Sequence, residues 1–157
     1  MAVSPAQATA VTNGWERLKI ERVLAKLGLP VGDVNRTWDE STKRATCMWR
    51  ELTGRKVYRS LPASYEMSAI LSTESLTVPA DQVTGINVDI RCQAATWVAW
   101  RLLPTPTATG ATRERYVHRV MQVSTGMPSF PTRTGRFAIG WTEIGRSHAE
   151  LQSHLNL

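Results

Sequence analysis

Cys47 and Cys92 are the only two cysteines in a chain of 157 residues. A thiolate nucleophile needs a neighbouring base and an oxyanion hole, and a zinc site needs further Cys or His ligands at short spacing. With no C-x-x-C partner for either residue, no metal site is expected. Two readings of the pair stay open. A disulfide in an oxidising compartment would close a loop of about 45 residues and contribute roughly 4 kcal/mol on the chain-entropy account. Two separate buried thiols are the other reading. His118 lies in a strand-like segment beside Arg119, and His148 and His154 stand six apart rather than at the i, i+4 spacing of two ligands on one helical face. Ser124 and His118 could join a carboxylate in a triad, but isolated Ser and His residues carry little information. No phosphate-cradling glycine pattern occurs, and no cofactor is expected.

Six Trp stand against two Phe and three Tyr, a balance rich in side chains that pair a broad apolar face with one N–H donor. The formal charge is +6 and the pI near 9.9, which favours anionic partners such as a cell-wall polymer, nucleic acid or anionic lipid. The excess is diffuse: 11 basic and 9 acidic residues run to Gly85, then 8 basic and 4 acidic beyond it. No basic block forms, so nucleic acid is the less favoured partner. Apolar residues make up 42% and charged residues 20%, the usage of a foldable globular chain, and no apolar run reaches the roughly 18 residues of a membrane span.

The elements that must position these groups follow from periodicity. Ile20, Val23, Leu24 and Leu27 make a stripe on a helix over about Trp15–Leu27, stopped by Gly28 and Pro30. Thr37 and Glu40 read as a capping box opening a second helix to Thr53, with Ala45, Met48, Trp49 and Leu52 inward. A third helix is expected over Ser64–Leu71. The stretch 77–85 reads as a linker. Beyond it the period becomes two. Ile86, Val88, Ile90 and Cys92 form the apolar side of a half-buried strand, and further strands are expected over 94–100, 116–123 and 136–141. The layout is α+β: residues 1–11 a tail or signal remnant, a helical module over 12–76, and an incomplete β domain over 86–157. The start has no basic or apolar signal region, although Ala8-Thr9-Ala10 has the small-x-small form of a signal-peptidase site.

Leu24-Ala25-Lys26-Leu27-Gly28-Leu29, then Val31-Gly32-Asp33-Val34, Trp38-Asp39, Thr42 and Ala45 follow the order of the three-helix peptidoglycan-binding module. Ser124-Thr125-Gly126, with Thr132 and Thr134-Gly135 after it, resembles the strand-turn-strand motif of the L,D-transpeptidase (YkuD-like) domain, with Arg133 in place of the usual Pro. Ile86-Asn87-Val88 through Cys92-Gln93 is similar to the strand that opens that domain in actinobacterial members. The resemblance spans about residues 18–141.

It implies an extracellular or wall-bound protein of peptidoglycan chemistry, in which a cysteine thiolate attacks a stem peptide. The catalytic Ser-His-Gly-Cys signature of that family is missing, since Ser147-His148 is followed by Ala149-Glu150 and no cysteine follows Cys92. The expectation is a truncated or frame-changed relative that binds without catalysis, using Trp38, Trp49 and Arg50 on glycan and stem-peptide carboxylates. Trp49 also occupies a core position in its stripe, and Arg50 reads as a solvated helix residue. An incomplete sheet is expected to seek a protein partner or a second copy of the chain. With no intact signal, a cytoplasmic location also stays open, and a basic assembly or nucleic-acid-binding protein is the alternative function.

Overall fold

A computed structural model describes residues 11–137 apart from 12 and 128. Three helices, α1 (Gly14–Lys26), α2 (Glu40–Leu52) and α3 (Met67–Leu71), precede three strands, β1 (Gly85–Asp89), β2 (Ala94–Leu102) and β3 (Arg113–Gln122). The fold is therefore a small mixed α+β arrangement. A single 3-10 turn, Ser64–Glu66, leads into α3.

Asn13 caps α1 by accepting from the Trp15 N–H, and Gly28 ends it in the left-handed region at φ 79°. Ile20 and Leu24 are fully buried, with Val23 and Leu27 packed beside them. The stripe is as expected. The second cap is not: Asp39 accepts from Thr42 N–H and the Thr42 hydroxyl accepts from Asp39 N–H, so the box sits two residues after Thr37. Thr37 instead donates its N–H to Asn35 Oδ1 at 2.8 Å. An Asp whose N3 partner is Thr is a capping box that a search for Glu or Gln at N3 passes over.

The strands form one antiparallel meander, β1-β2-β3. Trp97 pairs with Arg119 and Val98 with Val117, so His118 is the extra residue of a bulge in β3. Thr96 and Val98 of β2 are fully buried, Val120 of β3 is 5% exposed, and Val120 joins the core shared with the helices. Ile86 and Val88, expected on the buried side, are each 52% exposed, and Ile90 is 38% exposed. Their row is the outer face, because Asn87 and Asp89 take the inward positions and the turn after Asp89 brings Cys92 into the core. The stretch after Gly135 takes no strand form up to Phe137, and the rest of the segment 136–141 lies outside the described residues, as do Ser147, His148 and His154.

Helices and sheet share one core, in which Cys92, Ala94 and Val120 join Ile20, Leu24, Met48 and Trp49. A disulfide between Cys47 of α2 and Cys92 crosses it, with Cα atoms 5.4 Å apart. The stretch 77–85, expected as a linker, is docked against the body: Thr77 donates its N–H and its hydroxyl to Leu52 O, and Gln82 is buried. Among the described residues no helix is long and apolar enough to cross a membrane.

Candidate functional site

Arg50 departs most from its expected role. It is fully buried, not solvated, and its guanidinium donates from Nε to Glu66 Oε1 at 2.7 Å and from Nη2 to Glu66 Oε2 at 2.6 Å. Nη1 donates to Tyr58 O at 2.8 Å, and the guanidinium stacks on the Tyr58 ring. Glu66 Oε2 also accepts from Ala63 N–H. Every part of this fork is engaged inside the fold, so Arg50 offers nothing to a wall ligand. Burial and the Tyr65 hydroxyl beside it push the Tyr58 phenol up to about 12. Trp49 is likewise fully buried and donates its indole N–H to Thr73 Oγ1 at 2.9 Å. It is a core residue.

Trp38 stays at the surface, half-buried, in an arrangement that the sequence reading did not single out. Residues 15–17 read Trp-x-Arg and residues 36–38 read Arg-x-Trp. The first segment opens α1 and the second precedes α2. The Arg17 guanidinium lies over the Trp38 ring at 5.1 Å, and the Arg36 guanidinium lies over the Trp15 ring at 4.1 Å. Each segment thus gives one indole and one cation to the other. Fully buried Glu21 accepts Arg36 N–H at 2.9 Å, and Arg36 sits in the left-handed region at φ 72°. Trp15 is 63% exposed. The Trp38 indole N–H is buried without an acceptor among the described residues. Two flat apolar faces flanked by two guanidinium groups suit a ligand that alternates sugar rings and carboxylates.

The motif turn forms a compact loop. Gly126 donates its N–H to Thr132 Oγ1 at 2.5 Å, and Met127 and Phe130 form an isolated antiparallel bridge. A Cβ on Gly126 would fall 2.0 Å from Phe130 O, which requires glycine there. Thr125 accepts from Gln93 Nε2 at 3.4 Å. Ser124, Thr134 and Gly135 lie near this loop in sequence, with Gly135 at φ 137°. His118 is engaged elsewhere, on the outer sheet face, where its ring meets Trp97 edge-on at 4.5 Å and its Nδ1 pairs with the Tyr116 hydroxyl at 3.0 Å. A cavity of about 550 Å³ lies between the Gly28–Gly32 turn and residues 118–122 of β3.

Next to the disulfide, carboxylate oxygens of Glu51 and Asp89 and the sulfur of Cys92 all lie within 4.8 Å of one another. Burial and the Asp89 charge push the Glu51 carboxyl up to about 7. Burial opposes ionisation of Asp89 as well, but the Arg91 ion pair and the Cys92 N–H outweigh it and hold Asp89 below its usual range. Asp89 is therefore the charged member of the pair at neutral pH, while Glu51 stands near its midpoint. With both sulfurs joined, the oxidised protein presents no thiolate.

Neither a family model, a curated protein nor a solved structure matches this chain.

Proposed function

We propose that the chain is a wall-associated protein of L,D-transpeptidase-like descent, extracellular, that binds peptidoglycan or a related anionic polymer without catalysing transpeptidation. The crossed pairs Trp15–Arg36 and Trp38–Arg17 carry this reading, since they set indole faces beside guanidinium groups at an accessible surface. The disulfide is consistent with an oxidising compartment, and it occupies both sulfurs that nucleophilic chemistry would need. Of the three residues expected to touch the polymer, Trp38 keeps that role, and Trp15, Arg17 and Arg36 replace Trp49 and Arg50. The exposed row of Ile86, Val88 and Trp97 supports the expectation of a protein partner or second copy over the sheet.

Co-sedimentation with isolated sacculi from low to high salt tests the reading. Binding that persists in salt and is lost in Trp15→Ala and Trp38→Ala supports it. Retention of sacculus binding by both variants, or its loss at modest salt as expected of phosphate-type contacts, overturns it in favour of the basic assembly or nucleic-acid alternative.

A further inference from the structure

The sheet order β1-β2-β3 leaves β3 at an edge. The Val123 N–H donates to Gln93 O, and in an antiparallel ladder the main-chain groups of successive residues point to opposite sides. Val123, Met121 and Arg119 therefore turn their main-chain groups toward β2, and Val120 and Gln122 turn theirs to the free side. Among the described residues, no other segment hydrogen-bonds to the main chain of Val120 or Gln122. The Gly28–Gly32 turn stands across this free edge, and the cavity of about 550 Å³ between them has Leu29, Val31 and Val120 in its apolar lining. His118 and Arg119 are the ionisable residues of its described lining, which contains no carboxylate. Arg119 is exposed, shares the outer face with its partner Trp97, and meets no carboxylate at ion-pair distance among the described residues. At the end of the groove, Arg44 donates from Nη1 to Gln122 Oε1 and from Nη2 to Gln93 Oε1, both at 3.0 Å. That guanidinium too is held by neutral oxygens, and its Nε is buried without an acceptor among the described residues.

We propose that the β3 edge is a docking site for an acidic extended peptide of a partner protein, which adds to the sheet as a fourth strand in this groove. Main-chain pairing at Val120 and Gln122 supplies affinity, and alternate side chains supply selection. Residues of the added strand beside Val120 point inward to the apolar lining, and those beside Arg119 point outward on its face. The sequence that fits therefore alternates an apolar residue with Asp or Glu. Charge decides against a second copy of this chain as the occupant. β3 carries Arg113, Arg115 and Arg119 against Glu114 alone, whose carboxylate is taken by Arg101. Pairing two such edges would set like charges side by side. Basic side chains on an edge strand deter its own copies, and the same charges select an acidic strand. None of Trp15, Arg17, Arg36 and Trp38 lines the groove, so peptide docking here is separate from polymer binding at the crossed pairs.

The test uses the full oxidised chain and a fluorescein-labelled peptide of alternating glutamate and valine, read by fluorescence polarisation with amide hydrogen exchange alongside. The peptide should bind and should slow exchange at the Val120 and Gln122 amides. A lysine–valine peptide should bind about tenfold more weakly or worse, and Arg119→Glu, an exposed change that leaves the core intact, should reverse that order. The glutamate–valine peptide methylated on every backbone nitrogen keeps its charge, loses its strand donors, and should not bind. No binding of the unmethylated peptide, equal binding of the methylated one, an unchanged preference in Arg119→Glu, or binding without protection at Val120 and Gln122 would each overturn the proposal. Protection of those two amides without any peptide would overturn it as well. Dependence of that protection on protein concentration would make a second copy the occupant, and independence of it would make the occupant another segment of the same chain.

Discussion

Arg50 and Glu66 meet in a bidentate ion pair at 2.6 and 2.7 Å with both side chains almost wholly shut off from water. The pair ties α2 to the turn that opens α3, and the spare donors and acceptors go to Tyr58 O and Ala63 N–H. Two charges buried this way are tolerated only while both are present. Arg50→Ala should destabilise the protein by about 3–5 kcal/mol, because it leaves the Glu66 carboxylate buried and unpaired. Urea unfolding of Arg50→Ala, Glu66→Ala and the double variant reads this directly. The double variant should cost less than the sum of the two single ones, and strict additivity would contradict a coupled pair.

Removing the disulfide should lower stability through the unfolded chain. With Cys47 and Cys92 separated by 45 positions, the chain-entropy account gives about 4 kcal/mol for a double Ser variant. Guanidinium unfolding of the oxidised protein and the variant makes the comparison. An unchanged midpoint would mean that the tie between α2 and the sheet does not constrain the unfolded ensemble.

Glu51 should make the oxidised protein less stable as pH rises. Its carboxyl is raised from 4.5 to about 7 in the folded state, so the folded chain binds more protons than the unfolded chain between those values. Its stabilising contribution is complete below pH 4.5 and is lost as pH climbs through 7. Thermal melts from pH 4.5 to 8 should show this decline, and Glu51→Gln, neutral throughout, should flatten it and melt above the parent protein at pH 8. Asp89 has the opposite sign. Its lowered value gives stability that is present at neutral pH and falls away as the pH drops below the usual carboxylate range.

Gly126→Ala should rearrange its loop with little effect on the global midpoint. The added methyl collides with Phe130 O, while Met127 and Phe130 are mostly exposed and contribute little to the core. Hydrogen exchange should quicken at the Gly126 amide, which otherwise donates to Thr132, while amides in β2 keep their protection.

The helices were legible because their information is local. Ile20 and Leu24, and Ala45, Met48, Trp49 and Leu52, repeat at helical spacing, and a stripe that wide can only be buried one way. Gly28 after Leu27 marked the stop for the same reason, as a left-handed residue without a Cβ penalty. The three strands between 85 and 122 were legible too, from their alternation, whereas the strand expected over 136–141 takes no strand form up to Phe137. The composition also fixed the presence of two sulfurs, many indoles and a diffuse positive charge. Pairing and direction belonged to the tertiary structure. A period of two tells that Ile86 and Val88 share a face but not which face meets the helices, and a core already filled by α1 and α2 chose the other one. Helical spacing gives Arg50 an ambiguous azimuth, and only the arrival of Glu66, 16 residues on, turns it inward. Trp-x-Arg and Arg-x-Trp are two unrelated tripeptides until α1 and the turn before α2 are laid side by side. Likewise Cys47, Glu51, Asp89 and Cys92 become one cluster only when the sheet docks on α2, because contacts between distant segments are set by which surfaces the whole chain can bury together.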